Sequence, residues 1–245
     1  MSQDGAIESL SNDDRAVAVR SMFGTIAGGY DRTNSVLSGG MHHLWRRAAV
    51  RLLGASAGDR VLDCCCGTGD LSFAIARVVG EEGRVVGTDF TPEMVALAQA
   101  KATDRAAATV TFQVADAMAL PFEDDAFDSA SVSFGIRNVV DPVAGLRDMA
   151  RCVKPGGRVL VLEFGQPEGL FMGPLFRFYS RWLMPRIGGL LTGNRAAYEY
   201  LPRTSAAFPA GADFVAQILE PAGLELQVAR SLTRGVAWIY VGVVR

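Results

Sequence analysis

Val61-Leu62-Asp63-Cys64-Cys65-Cys66-Gly67-Thr68-Gly69-Asp70 is an apolar run that ends on a glycine turn and opens a helical pattern running to Val79. Strand, glycine bend and helix in that order are the first half of a βα unit. Glycine permits the bend and leaves bare backbone that a ligand can approach where a Cβ would stand in the way. In a parallel sheet, ligands sit beyond the carboxyl ends of the strands, which is where Gly67, Thr68 and Gly69 fall. The stretch also holds three of the chain's four cysteines, so a thiol site has to be weighed against a glycine pocket. On extended backbone, Cys64 and Cys66 point to one side and Cys65 to the other. Thiols so disposed do not converge on a metal, and neighbouring thiols bridge only under strain. The expectation is that they pack as small hydrophobes, with redox sensitivity the lesser reading.

The alternation continues outward. Further strands are expected at Arg84–Asp89, Val110–Val114, Phe127–Phe134 and Arg158–Phe164. The helices between them open at Thr91-Pro92-Glu93 and span Pro142–Val153, and Lys154-Pro155-Gly156-Gly157 acts as a breaker. Two later runs, Glu225–Ser231 and Val236–Val244, flank a short turn and read as an antiparallel pair at one edge. The fold class is therefore α/β, a seven-stranded, mostly parallel, doubly wound Rossmann-like sheet covered on both faces. Upstream, Val17–Met22 reads as the start of a helix, Ala27-Gly28-Gly29-Tyr30 as a glycine-rich turn, and His42–Leu53 as a helix. Residues 1 to 16 read as a flexible arm, and 17 to 245 as one domain with a helical lid at about 166 to 210.

Composition narrows the function classes. With 49% hydrophobic and 20% charged residues and a net charge of −2, the 245-residue chain is globular and has no electrostatic footprint for nucleic acid. Two histidines and no C-x-x-C spacing leave no metal site to expect. The polar, acidic N-terminal stretch carries no secretory signal, so a cytoplasmic protein is expected.

Charge sharpens the glycine loop. Asp63 precedes the turn and Asp70 follows it, where a dinucleotide pocket would offer bare N–H groups to pyrophosphate. A cofactor without phosphates, carrying a sulfonium and an ammonium, suits that setting; S-adenosylmethionine is one. Asp89 lies about twenty residues beyond the glycines at the end of the second strand, an offset suited to ribose hydroxyls. Asp116 and Ala117 end the third strand, where a carboxylate and a backbone N–H can meet an adenine. Each carboxylate alone would read as a helix cap or a solvated loop residue. Three at successive strand ends are harder to read that way.

Several further motifs stand in the chain: Tyr30-Asp31-x-x-Asn34-x-x-Leu37-Ser38-x-x-x-His42-x-x-Trp45, Ser133-Phe134-Gly135-Ile136-Arg137-Asn138, and Arg151-x-Val153-Lys154-Pro155-Gly156-Gly157 running to Leu162-Glu163-Phe164. Tyr198-x-Tyr200-Leu201 and Ser205-x-x-Phe208-Pro209 follow. On these, from about Ser21 to Gly242, the chain resembles the ubiquinone and menaquinone biosynthesis C-methyltransferases, a branch of the class I S-adenosylmethionine-dependent methyltransferases. The resemblance implies that Thr68, Asp89, Asp116, Ala117 and Ser133 contact the cofactor beside Gly67 and Gly69. It also implies a polyprenyl quinol substrate: demethylmenaquinol converted to menaquinol, or else a 2-methoxy-6-polyprenyl-1,4-benzoquinol that gains its ring methyl. Thr33 stands where the family usually has methionine, and the cysteines stand where it more often has Ala or Gly. Ala237-Trp238-Ile239-Tyr240 lacks a histidine often found there, which leaves the choice of quinol open.

Methyl transfer to carbon needs an electron-rich ring, hence the reduced quinol, whose phenol must lose its proton or have the developing charge stabilised. By analogy Arg137 faces the sulfonium side of the cleft and stabilises a phenolate, with Asn138 orienting a ring oxygen; arginine itself is a poor proton acceptor. The plainer reading makes Arg137 a surface residue in an ion pair. Tyr30, Asn34 and His42 would close over the quinol, with Gly28 and Gly29 as a hinge. Residues 170 to 193, rich in aromatics, methionine and arginine, read either as an amphipathic lid that takes a polyprenyl tail or rests on anionic lipid, or as an ordinary cap. The arginines and Pro185 interrupt them too often to span a bilayer. A homo-oligomer is left open. Rival functions are an oxygen or nitrogen methyltransferase, a nicotinamide-dependent dehydrogenase, disfavoured by the missing third glycine, and a non-catalytic cofactor-binding regulator.

Overall fold

Seven strands form one sheet in the order β3-β2-β1-β4-β5-β7-β6 in the computed structural model, which describes residues 11–105, 109–167 and 169–245. The strands are β1 (Arg60–Cys64), β2 (Arg84–Asp89), β3 (Val110–Val114), β4 (Phe127–Ser133), β5 (Val153–Phe164), β6 (Leu224–Leu232) and β7 (Ala237–Val244). β1 to β5 run parallel, β7 alone runs against them, and β6, antiparallel to β7, forms the edge. The order reverses between β1 and β4, so the crevice beyond their carboxyl ends is the topological switch point where such sheets bind ligands.

Alternate residues of each strand feed two apolar layers. Leu62, Ala130, Val132 and Val161 lie in one cluster with Leu146 and Met149 of α6 (Pro142–Arg151). Val61, Val85, Leu160 and Leu162 lie in the other with α3 (Met41–Leu53), α4 (Asp70–Val79) and α5 (Pro92–Asp104). Burial on both faces explains why the parallel strands read as continuous apolar runs.

Four expectations change in detail. Ser11 caps α1 (Asn12–Ile26) by accepting the Asp14 N–H at 3.3 Å, so the helix starts before Val17 and takes the last residues of the expected arm; residues 1–10 lie outside the described set. The glycine-rich turn is a single 3₁₀ turn, Ala27–Gly29, leading directly into α2 (Tyr30–Leu37). The breaker Lys154–Gly157 bulges within β5: Phe127 pairs with Val153, and pairing resumes at Ser129 with Arg158. The cysteines do not alternate, because the backbone leaves the extended region at Cys65, whose φ is +49°. Cys64 and Cys65 join one apolar layer and Cys66 the other.

The segment expected as a lid is helical: α7 (Met172–Phe178) runs through a π-helical stretch (Tyr179–Leu183) into α8 (Met184–Thr192), and α9 (Arg195–Ala207) packs back on it. Gly188 lies against the Tyr198 ring, where a Cβ would be 2.2 Å from a ring carbon. Among the described residues no helix is long and apolar enough to cross a membrane.

Candidate active site

The carboxyl ends of β1 and β4 are held in uncommon backbone conformations. Cys65 and Phe134, one residue past each strand, have φ of +49° and +57°, a region that non-glycine residues occupy at a cost of about 1–3 kcal/mol, typically at functional sites. They allow Gly135 to lie against Cys65, where a Cβ would fall 2.2 Å from the cysteine Cβ. Gly67 and Gly69 are left-handed as well, and Gly69 is pressed against Phe112. Burial first, then the negative charge of Asp89, holds the Cys65 and Cys66 thiols well above their ordinary range. A thiol kept protonated is neither a ready nucleophile nor a ready metal ligand, which favours packing.

The carboxylates divide into two kinds. Asp89 accepts the Gly67 N–H at 2.8 Å through Oδ2 and the Thr91 N–H at 2.9 Å through Oδ1, so it braces the glycine turn and the start of α5. Burial raises its pKa despite those bonds. Asp116 lies just past β3 and accepts the Met118 N–H at 2.9 Å. Asp70 differs from the expectation of a bare acid at the mouth. It bonds Arg46 at 3.1 Å and Lys101 at 3.3 Å, and these cations outweigh burial and lower its pKa. Rejection of pyrophosphate therefore cannot rest on Asp70; the fixed acceptor beside the glycine turn is Asp89.

Asp63 is buried beneath the turn, accepting from Ser72 Oγ at 2.5 Å and Ser131 Oγ at 2.7 Å. Desolvation pushes its pKa up to about 6, and the two serines pull it only partway back. A carboxyl whose folded pKa exceeds its unfolded value binds protons more tightly when folded, so it favours folding at low pH and loses that contribution as pH rises through about 6. Relative to Asp63→Asn, wild-type stability is expected to improve by roughly 2 kcal/mol from pH 7 to pH 4. Paired denaturant titrations of the two proteins test this, and parallel stability curves would refute it.

Two adjoining cavities open at the switch point. The smaller, about 110 Å³, is lined by Asp89, Asp116, Ala117, Asn138 and neighbours. The larger, about 880 Å³, is lined by Asn34, His42, Thr68, Arg137 and a mainly apolar wall. Tyr30, Cys65, Gly67, Ser133 and Phe134 line both. Every expected site residue except Gly69 thus faces one cavity or both; Gly69 shapes the turn from behind. Ser133 Oγ is buried on the shared wall with no hydrogen-bond partner, a hydroxyl left for a ligand. Thr68 Oγ1 donates to Asp31 Oδ1 at 2.5 Å, and Asp31 also pairs with Lys101, so α2 is fastened to the glycine loop.

Arg137 and Asn138 separate. Arg137 is buried in the wall of the larger cavity, neither on the surface nor free: Nη1 donates to Glu163 at 2.7 Å and to the Phe134 carbonyl at 2.5 Å. Its Nε is buried without a partner, and the guanidinium carbon lies 5.2 Å from the centre of the Phe164 ring. Asn138 faces the smaller cavity, where its Oδ1 accepts the Tyr200 hydroxyl at 3.3 Å. Glu163 is the participant the sequence reading missed. Its signals are an acid inside the apolar run Arg158–Phe164 and a place in the Leu162-Glu163-Phe164 motif, and neither names its partner. His42 shares a 2.6 Å hydrogen bond through Nδ1 with Ser38, and desolvation, then Arg46 and His43, lower its pKa to about 4. It is neutral at pH 7.

Known proteins agree with this architecture. The profile of the ubiE/COQ5 methyltransferase family matches residues 9–244. The ubiquinone/menaquinone biosynthesis C-methyltransferase UbiE of Bdellovibrio bacteriovorus is 48% identical over 227 residues, covering 93% of this chain and 96% of that protein. The protein of the same name from Azotobacter vinelandii is 38% identical over 237 residues, with 96% and 93% covered. Among solved structures, a SAM-dependent methyltransferase from Thermotoga maritima, titled a possible histamine N-methyltransferase, superposes with a TM-score of 0.66 at 18% identity, covering 92% of this chain and 99% of that one. Phosphoethanolamine N-methyltransferase 2 of Haemonchus contortus, in complex with S-adenosyl-L-methionine, gives a TM-score of 0.58 at 17% identity over 81% of this chain and 51% of that one. The chain belongs to the ubiE/COQ5 methyltransferase family and is an S-adenosylmethionine-dependent methyltransferase.

Proposed function

We propose that the chain methylates a ring carbon of a polyprenyl quinol, converting demethylmenaquinol to menaquinol. The observation that carries this reading is the large apolar cavity, which adjoins the cofactor-side cavity across a shared wall. An aromatic trio lines part of it: Phe134 and Phe164 lie 4.3 Å apart, and Trp45 stands 6.0 Å and 6.4 Å from them, centroid to centroid. Such faces suit a flat fused ring, and the room beyond them suits the start of a prenyl chain.

S-adenosylmethionine supplies an electrophilic methyl on a sulfonium. Asp89, Asp116, Ala117 and Ser133 would hold its nucleoside end, while Gly67 leaves its backbone open to close approach. The protein's task on the substrate is to favour the phenolate, whose charge activates the neighbouring carbon. Arg137 stays cationic and takes no proton. With Nη1 fixed by Glu163 and Phe134, it keeps Nε–H unused and holds positive charge in a wall where desolvation strengthens electrostatics. Neutral His42 offers one ring nitrogen to a hydroxyl, and the proton leaves to water. Burial raises the Tyr30 hydroxyl pKa while Asn34 lowers it, so Tyr30 stays a hydrogen-bonding phenol at pH 7.

Incubation with methyl-labelled S-adenosylmethionine and each reduced quinol, followed by mass analysis, tests the reading. Label on a ring carbon of the naphthoquinol is the expected result. Transfer only to the methoxy-benzoquinol would move the substrate, and label on oxygen or no transfer to either quinol would overturn the proposal.

A further inference from the structure

Seven of the fourteen large hydrophobic side chains exposed among the described residues lie between Leu170 and Leu190. Leu170 is 90% exposed, Phe171 88%, Leu175 63%, Phe178 58%, Trp182 50% and Leu190 88%. From Phe171 the spacing is four, three and four residues to Trp182, and Leu190 continues it two turns on. That is the period of one helical face. The opposite face has a use already: Phe176, Tyr179, Ser180, Met184 and Pro185 line the large cavity, and Gly188 packs on Tyr198. The lid helix therefore has two apolar sides, one walling the cavity and one facing solvent.

Charge selects what covers the outer side. Residues 169 to 198 include Arg177, Arg181, Arg186 and Arg195 and no Asp or Glu. The first three are exposed, and Arg177 and Arg181 also line the cavity. Two copies of this face would set arginine against arginine, whereas an anionic lipid surface complements it: apolar side chains enter the acyl boundary and guanidinium groups stay with the headgroups. We propose that the outer face of the 171–190 helix docks on an anionic bilayer, with the arginine-lined side of the cavity at the lipid interface. Resting on the quinol reading above, this arrangement lets the quinol ring enter while the distal prenyl units stay in the membrane.

Trp182 is a built-in reporter, because Trp45 is buried, Trp238 is half-buried on β7, and Trp182→Phe identifies its signal. The protein is mixed with quinol-free vesicles of phosphatidylcholine alone or with phosphatidylglycerol, with and without brominated acyl chains. Expected are co-sedimentation with the anionic vesicles, bromine quenching of Trp182, and at least a tenfold loss of binding in Leu175→Glu/Phe178→Glu. Both substituted side chains are solvent-facing and outside the cavity, so turnover of a short-tailed, water-soluble quinol should be unchanged in that variant. Wild-type protein left in the supernatant, or equal binding by the variant, overturns the proposal. So does a lipid-free dimer that the same variant disperses, which would assign the face to a second copy. The vesicles carry no quinol, so failure to bind leaves the methylation reading standing, and failed methylation leaves the binding result intact.

Discussion

Arg137→Ala is expected to lower stability by about 3–5 kcal/mol and to abolish detectable quinol methylation, whereas Arg137→Leu/Glu163→Leu should recover most of the stability and none of the activity. The reasoning starts from burial: the two side chains are 3% and 2% exposed and bonded at 2.7 Å. Removing one partner strands the other's charge in a medium that cannot solvate it, which is the costly change. Removing both deletes the charges along with their desolvation, and two leucines refill the volume, so the pair itself contributes little net stability. Turnover separates structure from chemistry, since a hydrophobic pair supports the fold but cannot hold a phenolate. Arg137→Lys keeps the charge and loses the fork, so intermediate activity is expected. Urea unfolding of the three variants, with turnover at saturating cofactor, makes the comparison. A double variant that methylates at the wild-type rate would remove Arg137 from the chemistry, and a single variant within 1 kcal/mol of wild type would contradict the burial.

The difference between Arg137 and its neighbours shows what a one-dimensional reading carries. The bounds of β1, α4, β2 and β3 follow the residue pattern because β1 and β2 are apolar runs buried inside the sheet, edge strand β3 alternates buried Val110 and Phe112 with more exposed neighbours, and α4 starts on a glycine signal. The residues at strand ends follow for the same reason: once the strands are placed, Gly67, Asp89, Asp116 and Ser133 must gather at one end of a parallel sheet. Pairing is another matter. Glu163 meets Arg137 across 26 residues, and Asp70 meets Lys101 across 31. Nothing local distinguishes such an acid from a free one, so Asp70 read as a bare charge and Glu163 went unassigned. Backbone departures were hidden too. The left-handed φ of Cys65 answers a close approach by Gly135 from the neighbouring strand, so alternation along a strand gives the wrong side for Cys66. The Lys154–Gly157 bulge is the same lesson: Pro and Gly end a helix, but they do not decide whether the partner strand holds on beyond them.

Asp89→Ala is expected to raise the dissociation constant for S-adenosylmethionine by about 10²- to 10³-fold while leaving the fold intact. Two effects combine. The carboxylate holds the Gly67 and Thr91 N–H groups at 2.8 Å and 2.9 Å, and hydrogen bonds to a charged group are worth about 1.5–3 kcal/mol each, so the glycine turn loses its brace. The cavity wall also loses the carboxylate that the proposal above assigns to the nucleoside end of the cofactor. Asp89→Asn keeps the shape but has one acceptor oxygen, so it satisfies one of the two N–H groups and should weaken binding about tenfold. The wild-type pH profile gives an independent reading. Because burial raises the Asp89 pKa, protonation removes the acceptor sooner than for an exposed aspartate, and affinity should fall as pH drops through that raised value. In Asp89→Asn this acid limb should vanish. Calorimetric titration across pH measures all three proteins together. A dissociation constant for Asp89→Ala within threefold of wild type would remove Asp89 from cofactor binding, both as acceptor and as brace. An acid limb that survives in Asp89→Asn would transfer the titration to another group, with Asp63, pushed up to about 6 beneath the same loop, next in line.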